Sequence, residues 1–341
     1  MARKAIKHKQ SRAVAKARPK KPVGAKSGTK SGTQSATKSG PRRVVVGVGL
    51  ATVDLLFVSP RLDERLVDAS VFSMQAGGSC SNMLAALAVM GERTRFFGRV
   101  ADDEHGHFIL RSMQNLRIDT SMLSLEKDKV SAISILQIDE LSRRRRILRS
   151  RGNVTQLLPQ DLPAGLLKDA SMLVIDGSQP ALQAAIAEKA RDKGITVLLN
   201  ASQLSGGMGE LLSLSDIVIG AERFAHELAP SDELGDSLRE ILSLGPRIAL
   251  ITLGESGSIG LEGSKLVEQE ALDVFVADTS GAGDAFAGAF AFAHLRGWPL
   301  ERAVPFANAA AGLVCRSIGA RSALPTVEEV VAAMGGAQPR L

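Results

Sequence analysis

Two acids bracket a glycine-rich turn in the stretch DTSGAGDAFAGAF, Asp278 to Phe290, and small and apolar residues follow at once. A bend that opens into a helix leaves backbone N–H groups without intrahelical acceptors, and the helix dipole adds partial positive charge at the same end. Such an end can receive an anion. Asp284 falls in the first turn, beside the anion rather than on it. A carboxylate there repels a phosphate, so it needs its own reason to be present. Accepting a proton from a nucleophilic hydroxyl is one such reason, and capping the helix is the other. Further polar residues and glycines stand where apolar runs end: Asp54, Gly77 and Gly78, Asp102 and Asp103, Asn200, and Gly254.

Hydrophobic periodicity indicates the elements that must carry these residues. Val44, Val45, Val46 and Val48 make a buried strand ending in a glycine pair. A dinucleotide fingerprint would need a third glycine where Thr52 stands, so that reading fails. VFSMQAGGSCSNMLAALAVMG reads as strand, Gly77-Gly78 turn and helix, with Met83, Leu84, Leu87 and Ala88 inward and a stop at Gly91. TRFFGRVADDEHGHFILRSMQNLRI repeats strand, loop and helix. SAISILQID and RRRRILRSRGNV flank a polar turn and form a hairpin. Strand and helix then alternate: MLVIDG, a helix over 180–193, ITVLLN, a loop holding Gly206, Gly207 and Gly209, DIVIG, one helix from Ala221, and RIALITLG. A hairpin from Gly260 to Leu272 precedes helices at Asp284–Arg296, Leu300–Cys315 and Val327–Met334. Repeated βα units specify an α/β fold, a doubly wound and mostly parallel sheet flanked by helices. Ligands of such sheets bind beyond the carboxyl ends of the strands, so the polar residues above converge on one cleft.

Bulk properties narrow the class. The 341 residues are 45% hydrophobic and 23% charged, with one Trp and no Tyr, which suits helices packed on a sheet. Cys80 and Cys315 have neither metal-ligand spacing nor the number for a disulfide scaffold, pointing to the reducing cytoplasm. No apolar run reaches the ~18 residues of a transmembrane helix. The net charge of +6 hides an asymmetry: residues 1–43 hold 14 of the 42 Lys and Arg and none of the 36 Asp and Glu. The remainder is acidic, with 28 basic against 36 acidic residues. Residues 1–42 are expected to form a disordered basic tail that could contact an anionic partner.

GGSCSNMLAALAVMG and GRVADDEHG early, ITLGESGS, DTSGAGDAFAGAF and FANAAAGLV late, in this order between Arg43 and about Pro325, resemble the ribokinase-like (PfkB-type) carbohydrate kinases. The resemblance implies a kinase domain over 43–335, a small β lid from about 54–76 and 130–152, and a short C-terminal tail at 336–341. It implies transfer of the γ-phosphoryl group of ATP, with Mg²⁺, to a sugar hydroxyl. In that frame Asp284 is the general base and the N–H groups of Gly281, Ala282 and Gly283 form the anion hole. Asp54, Gly78 and Asn82 match positions that hold sugar hydroxyls. Gly254 and Gly257 match the nucleotide-phosphate loop, and Asn308 matches a residue of the adenine pocket. Asp278, with the loop near Gly319, is the candidate seat of a monovalent cation such as K⁺. Relatives often carry Asn-x-x-Glu where this chain has Ala221 and Phe224, with Glu222 as the nearby acid.

The expected substrate is a furanose or ketohexose-like sugar. Arg143, Arg144, Arg145, Arg146, Arg149 and Arg151 crowd the lid, where alternate side chains of a strand face opposite ways. Those facing the cleft could fork onto an anionic sugar derivative, phospho- or sulfo-sugar; otherwise they keep an edge strand soluble. A nucleoside kinase of the same fold and a catalytically silent sugar-binding regulator are the rival readings. A homodimer through the lid is also expected from the family.

Overall fold

The computed structural model describes residues 44–61, 66–142, 144–230 and 233–335. The basic tail read at 1–42, the segment 336–341 and Arg143 lie outside the described residues. The body begins with β1 (Val44–Val48), buried along its whole length. β2 (Thr52–Ser59) and β3 (Val71–Gly77) leave that layer, and α1 (Ser79–Val89) follows directly on Gly78. β4 (Arg93–Ala101), α2 (Glu104–Asn115) and β5 (Asp119–Glu126) come next, then β6 (Ile133–Asp139) and β7 (Arg145–Ser150). The second half runs β8 (Ala170–Ile175), α3 (Pro180–Asp192), β9 (Thr196–Ala201), α4 (Met208–Leu214), β10 (Ile217–Ala221), α5 (Glu222–Leu228) and α6 (Leu234–Ser243). It closes with β11 (Ile248–Thr252), β12 (Ser258–Glu262), β13 (Lys265–Gln269), α7 (Ala282–Leu295), α8 (Leu300–Val314) and α9 (Val327–Ala333).

Among the described residues, nine strands form one sheet in the order β13-β12-β11-β10-β9-β8-β1-β4-β5. The pairs from β11 through β5 are parallel, and only β12 and β13 run antiparallel at the edge. Strand periodicity divides the core in two. Val45 joins Leu84, Phe286, Phe290 and Phe306 on one face, while Val44, Val46 and Val48 join Leu173, Leu199 and Leu238 on the other. A valine run buried on both faces is what a central parallel strand requires.

Three elements differ from the sequence reading. The glycine loop at 206–209 contains α4, since Met208, Leu211 and Leu212 bury one face despite the low helix propensity of Gly209. The single helix from Ala221 is two, α5 and α6, separated by the Ala229-Pro230 break. β5 is an edge strand on β4 whose residues are half-buried at most, so its apolar signal is faint.

The residues read as a lid carry a four-stranded sheet in the order β3-β2-β6-β7. Its register sets Gln75, Asp54, Ser134 and Arg149 in one row on one face. Met74, Leu55, Ile135 and Leu148 form the adjacent row on the opposite face.

Phe292 stacks on Phe306, with centroids 5.7 Å apart, and meets Trp298 edge-on, far from the polar residues of the cleft. Phe292→Ala is expected to lower stability by about 3–5 kcal/mol, read as a lower urea midpoint.

Candidate active site

Gly281 caps α7 in a left-handed conformation, φ 76°, and a Cβ there would lie 2.4 Å from that of Ala320. Glycine is therefore required for the turn to pass so close to the neighbouring loop. The N–H of Ala282 donates to Thr279 O at 3.3 Å, whereas those of Gly281 and Gly283 have no acceptor among the described residues. Asp284 does not cap the helix. Its Oδ1 accepts from Ser79 Oγ at 2.7 Å and Asn200 Nδ2 at 3.1 Å, and its Oδ2 accepts from Asn82 Nδ2 at 2.9 Å. α1, β9 and α7 thus meet at one carboxylate. Burial pushes its pKa up to about 6, against the hydrogen bonds from Asn82 and Ser79 and with help from the charges of Asp176 and Asp54. Near neutrality it is an ionised but readily protonated group, poised to exchange a proton with a hydroxyl.

Asp54 projects from β2 rather than from a turn. A Cβ on Gly77 would sit 2.0 Å from Asp54 Oδ2, so only glycine in β3 leaves room for this carboxylate. Burial raises the pKa of Asp54, while Thr52, Arg321, Ser134 and Arg149 pull it down. Gly78 precedes α1, with its backbone against Leu50. Asn82 spends its amide twice: it donates to Asp284 and accepts from Arg321 Nε at 2.9 Å.

Arg321 and Asp176 escaped the sequence reading. Arg321 lies in the loop after α8 and also donates to Ser81 Oγ at 2.5 Å and Ser112 Oγ at 3.4 Å. Burial lowers its pKa to about 10, with Asp54 and Asp284 opposing that shift, so it remains a cation at neutral pH. No spacing in the sequence marks it. Asp176, at the carboxyl end of β8, accepts from the N–H of Leu50 and Cys80, from Ser178 and from Gln183 Nε2. An acid ending the run MLVID was a readable signal for a residue facing this cleft.

Asp278 is buried, its Oδ1 accepting from Ser280 N and Oγ and its Oδ2 from Gly319 N at 2.9 Å. Arg145 Nη1 reaches from β7 to Ser280 Oγ at 3.4 Å. Gly254 and Gly257 lie in the short turn between β11 and β12. Asn308 is buried on α8 and donates to Glu270 O at 2.5 Å, tying α8 to the segment after β13. Asn308 and Gly257 both approach Glu270, and none of these residues hydrogen-bonds to Asp284. Phe224 is fully buried and Glu222 is exposed, 4.0 Å from His226. A 580 Å³ cavity between β3 and α2, lined by Met74, Asp102, His105, Phe108 and Arg111 among others, does not include Asp284. The described residues contain no cluster of His, Cys, Asp and Glu suited to a metal, and no helix long and apolar enough to cross a membrane.

Residues 42–327 match the family described as pfkB family carbohydrate kinase. A 5-dehydro-2-deoxygluconokinase of Halalkalibacterium halodurans is 27% identical over 314 residues, covering 84% of this chain and 93% of its own. An ATP-dependent ribose-1-phosphate kinase of Halopiger xanaduensis is 29% identical over 293 residues, covering 84% and 97%. The structure of Arabidopsis thaliana ribokinase complexed with ribose and ATP shares the fold at a TM-score of 0.75 and 23% identity, over 86% of this chain and 98% of that one.

Carboxyl carbon NMR is expected to show Asp284 titrating near pH 6. Ser79→Ala removes a donor to the ionised form, so the midpoint moves further up; a midpoint near the ordinary Asp value in both proteins would contradict the desolvated placement.

Proposed function

Because the chain belongs to the pfkB family of carbohydrate kinases, we propose that Asp284 is the general base with which it passes the γ-phosphoryl group of ATP to a hydroxyl of a furanose or ketohexose-like sugar. ATP-dependent sugar phosphorylation is the activity of the family and of the named relatives. The residue roles are our reading. The observation that carries them is the Asp284 carboxylate, desolvated in the first turn of α7 next to the free N–H groups of Gly281 and Gly283.

Asp54, the backbone at Gly78 and Asn82 hold the sugar hydroxyls, since a carboxylate accepts and an amide does both. One hydroxyl takes the place of a donor at Asp284 and gives up its proton there as it attacks. The N–H groups of Gly281, Ala282 and Gly283 stabilise the phosphoryl group in transit, Ala282 releasing its long bond to Thr279. Arg145, already at Ser280, adds positive charge beside that hole. Gly254 and Gly257 let the backbone approach the nucleotide phosphates, and Asn308 orders the wall near the base. ATP supplies the phosphoryl group and Mg²⁺ offsets the charge of its phosphates. Phe224 has no oxygen to hold a metal-bound water, which leaves Glu222 as the acid on that side. K⁺ at Asp278 would compete with three donors already on that carboxylate, so we derive no step through it.

The silent-regulator reading gives no reason for a desolvated base beside an anion hole. For assembly, we favour a lid-to-lid homodimer. Support comes from the lid face opposite Asp54, where Phe57 and Phe72 are in ring contact at 5.0 Å while Phe72 is 60% and Leu148 43% exposed. The two unpaired cysteines favour the cytoplasm.

With Mg²⁺ and a panel of free sugars, sugar phosphates, sulfo-sugars and nucleosides, ATP consumption is expected on sugars, and Asp284→Asn is expected to reduce it by at least about 100-fold while ATP still binds. A fully active Asn variant would remove Asp284 from the chemistry. Phe72→Asp should turn a dimer into a monomer by light scattering; a monomeric wild type would refute the lid interface.

A further inference from the structure

The cleft around Asp284 also holds Asp54 and Asp176, whose charges raise its pKa. A negatively charged ligand would be repelled there unless cations were built in. Two are, each within electrostatic range of Asp54, and neither forms an ion pair with a carboxylate among the described residues. The guanidinium of Arg321 is fixed by Ser81, Ser112 and Asn82, all uncharged, and makes no ion pair among the described residues. Of its five N–H donors these bonds take one on each nitrogen, so one on Nη1 and one on Nη2 remain. The Arg149 side chain makes no hydrogen bond or ion pair with any described residue, yet it lies close enough to Asp54 to lower its pKa.

Register places Arg149 to one side of Asp54, and hydrogen bonds to Gln75 bring the loop of Arg321 to the other end of the same row. One row of the lid runs Gln75, Asp54, Ser134, Arg149, which puts Arg149 two strands, roughly 10 Å, from Asp54. At the other end of the row Gln75 is held by the loop that carries Arg321: its Nε2 donates to Ile318 O and Ser322 Oγ, and its Oε1 accepts from Arg321 N. Both Arg321 and Arg149 act on the charge of Asp54, so a ligand lying over Asp54 comes within range of both guanidinium groups. Arg146 points to the opposite face, in the row of Phe57 and Phe72.

We propose that the acceptor sugar carries an anionic group, a carboxylate or a phosphate ester, which Arg149 and Arg321 hold on either side of Asp54 while Asp54 accepts from the sugar hydroxyls. The proposal rests on the sugar-kinase reading and adds the charge of the acceptor and the residues that select it. A planar fork suits both oxyanions, and Arg321 is already immobilised, so less side-chain freedom is lost on binding. Arg149 is exposed and unpaired among the described residues, so it can turn onto the anionic group without first breaking a contact.

The test uses the full chain with Mg-ATP and compares kcat/KM for D-ribose and D-fructose with that for ribose phosphates, fructose phosphates, gluconate and ketogluconates. An anionic acceptor is expected to be preferred by about 100-fold, the range of charge-assisted hydrogen bonds, and the better class tells carboxylate from phosphate. Arg149→Ala should cut the anionic sugar's kcat/KM far more than the neutral sugar's, chiefly through KM. Arg146→Ala should change neither. Arg321→Lys keeps the charge but not the fork, and should weaken the anionic preference in the same direction. A neutral sugar as the best acceptor, or equal losses on both classes in Arg149→Ala, would overturn the anion site while leaving the kinase intact. ATP consumption on no class would remove the kinase reading itself, and this inference with it.

Discussion

Asp284 must keep a negative charge within reach of a ligand while most of the water that would solvate it is excluded. Its raised pKa measures that conflict, and three donors from two other elements resolve part of it. Each donor fixes something else. Ser79 and Asn82 set the start of α1, Asn200 sets the end of β9, and α7 must begin where its first turn meets both. The position of the glycine turn is therefore a consequence of docking α7 against α1, with Gly288 lying close to Ala86 and Met83 at the contact.

Asn82 transmits the same constraint outward. An amide that donates to Asp284 must present its oxygen elsewhere, and Arg321 takes it. The loop from Ile318 to Ser322 then has two further duties. Its Gly319 N–H holds Asp278, which in turn holds Ser280 at the edge of the anion hole. Its Ile318 and Ser322 hold Gln75 of the lid. β3, Asp284 and the glycine turn before α7 are thus joined through one short loop, and β3 cannot shift far without disturbing those bonds.

The departure at Ala221 and Phe224 has a packing logic. Phe224 fills the core beside Gly220, where an added Cβ would already meet its ring, and so stabilises the turn after β10 by burial instead of by polar contacts. The turn after β10 consequently presents fewer side-chain oxygens than the surroundings of Asp284.

Much of this was legible in the chain. The valine run of β1, the glycine pair before α1 and the glycine turn before α7 are local rules, and each element follows from its own few residues. Asp284 stood out because it sits at such a break, whereas Asp54 lies within β2, and Asn82, within α1, was marked by the family resemblance. α4, β5 and the division of α5 from α6 were obscured because burial overrode weak or mixed local preference. Asp284's partners lie far away in sequence, Ser79 at 205 residues and Asn82 at 202, and Arg321 is 239 residues from the Asn82 it orients. The sequence by itself determined the α/β layering and the anion-binding turn, since backbone sterics and hydrophobic period act over a few residues. Only the tertiary structure decided that Arg321 and Arg149 come within range of Asp54 and that Asp284 is desolvated, because pairing across the sheet and exclusion of water exist only once distant segments pack.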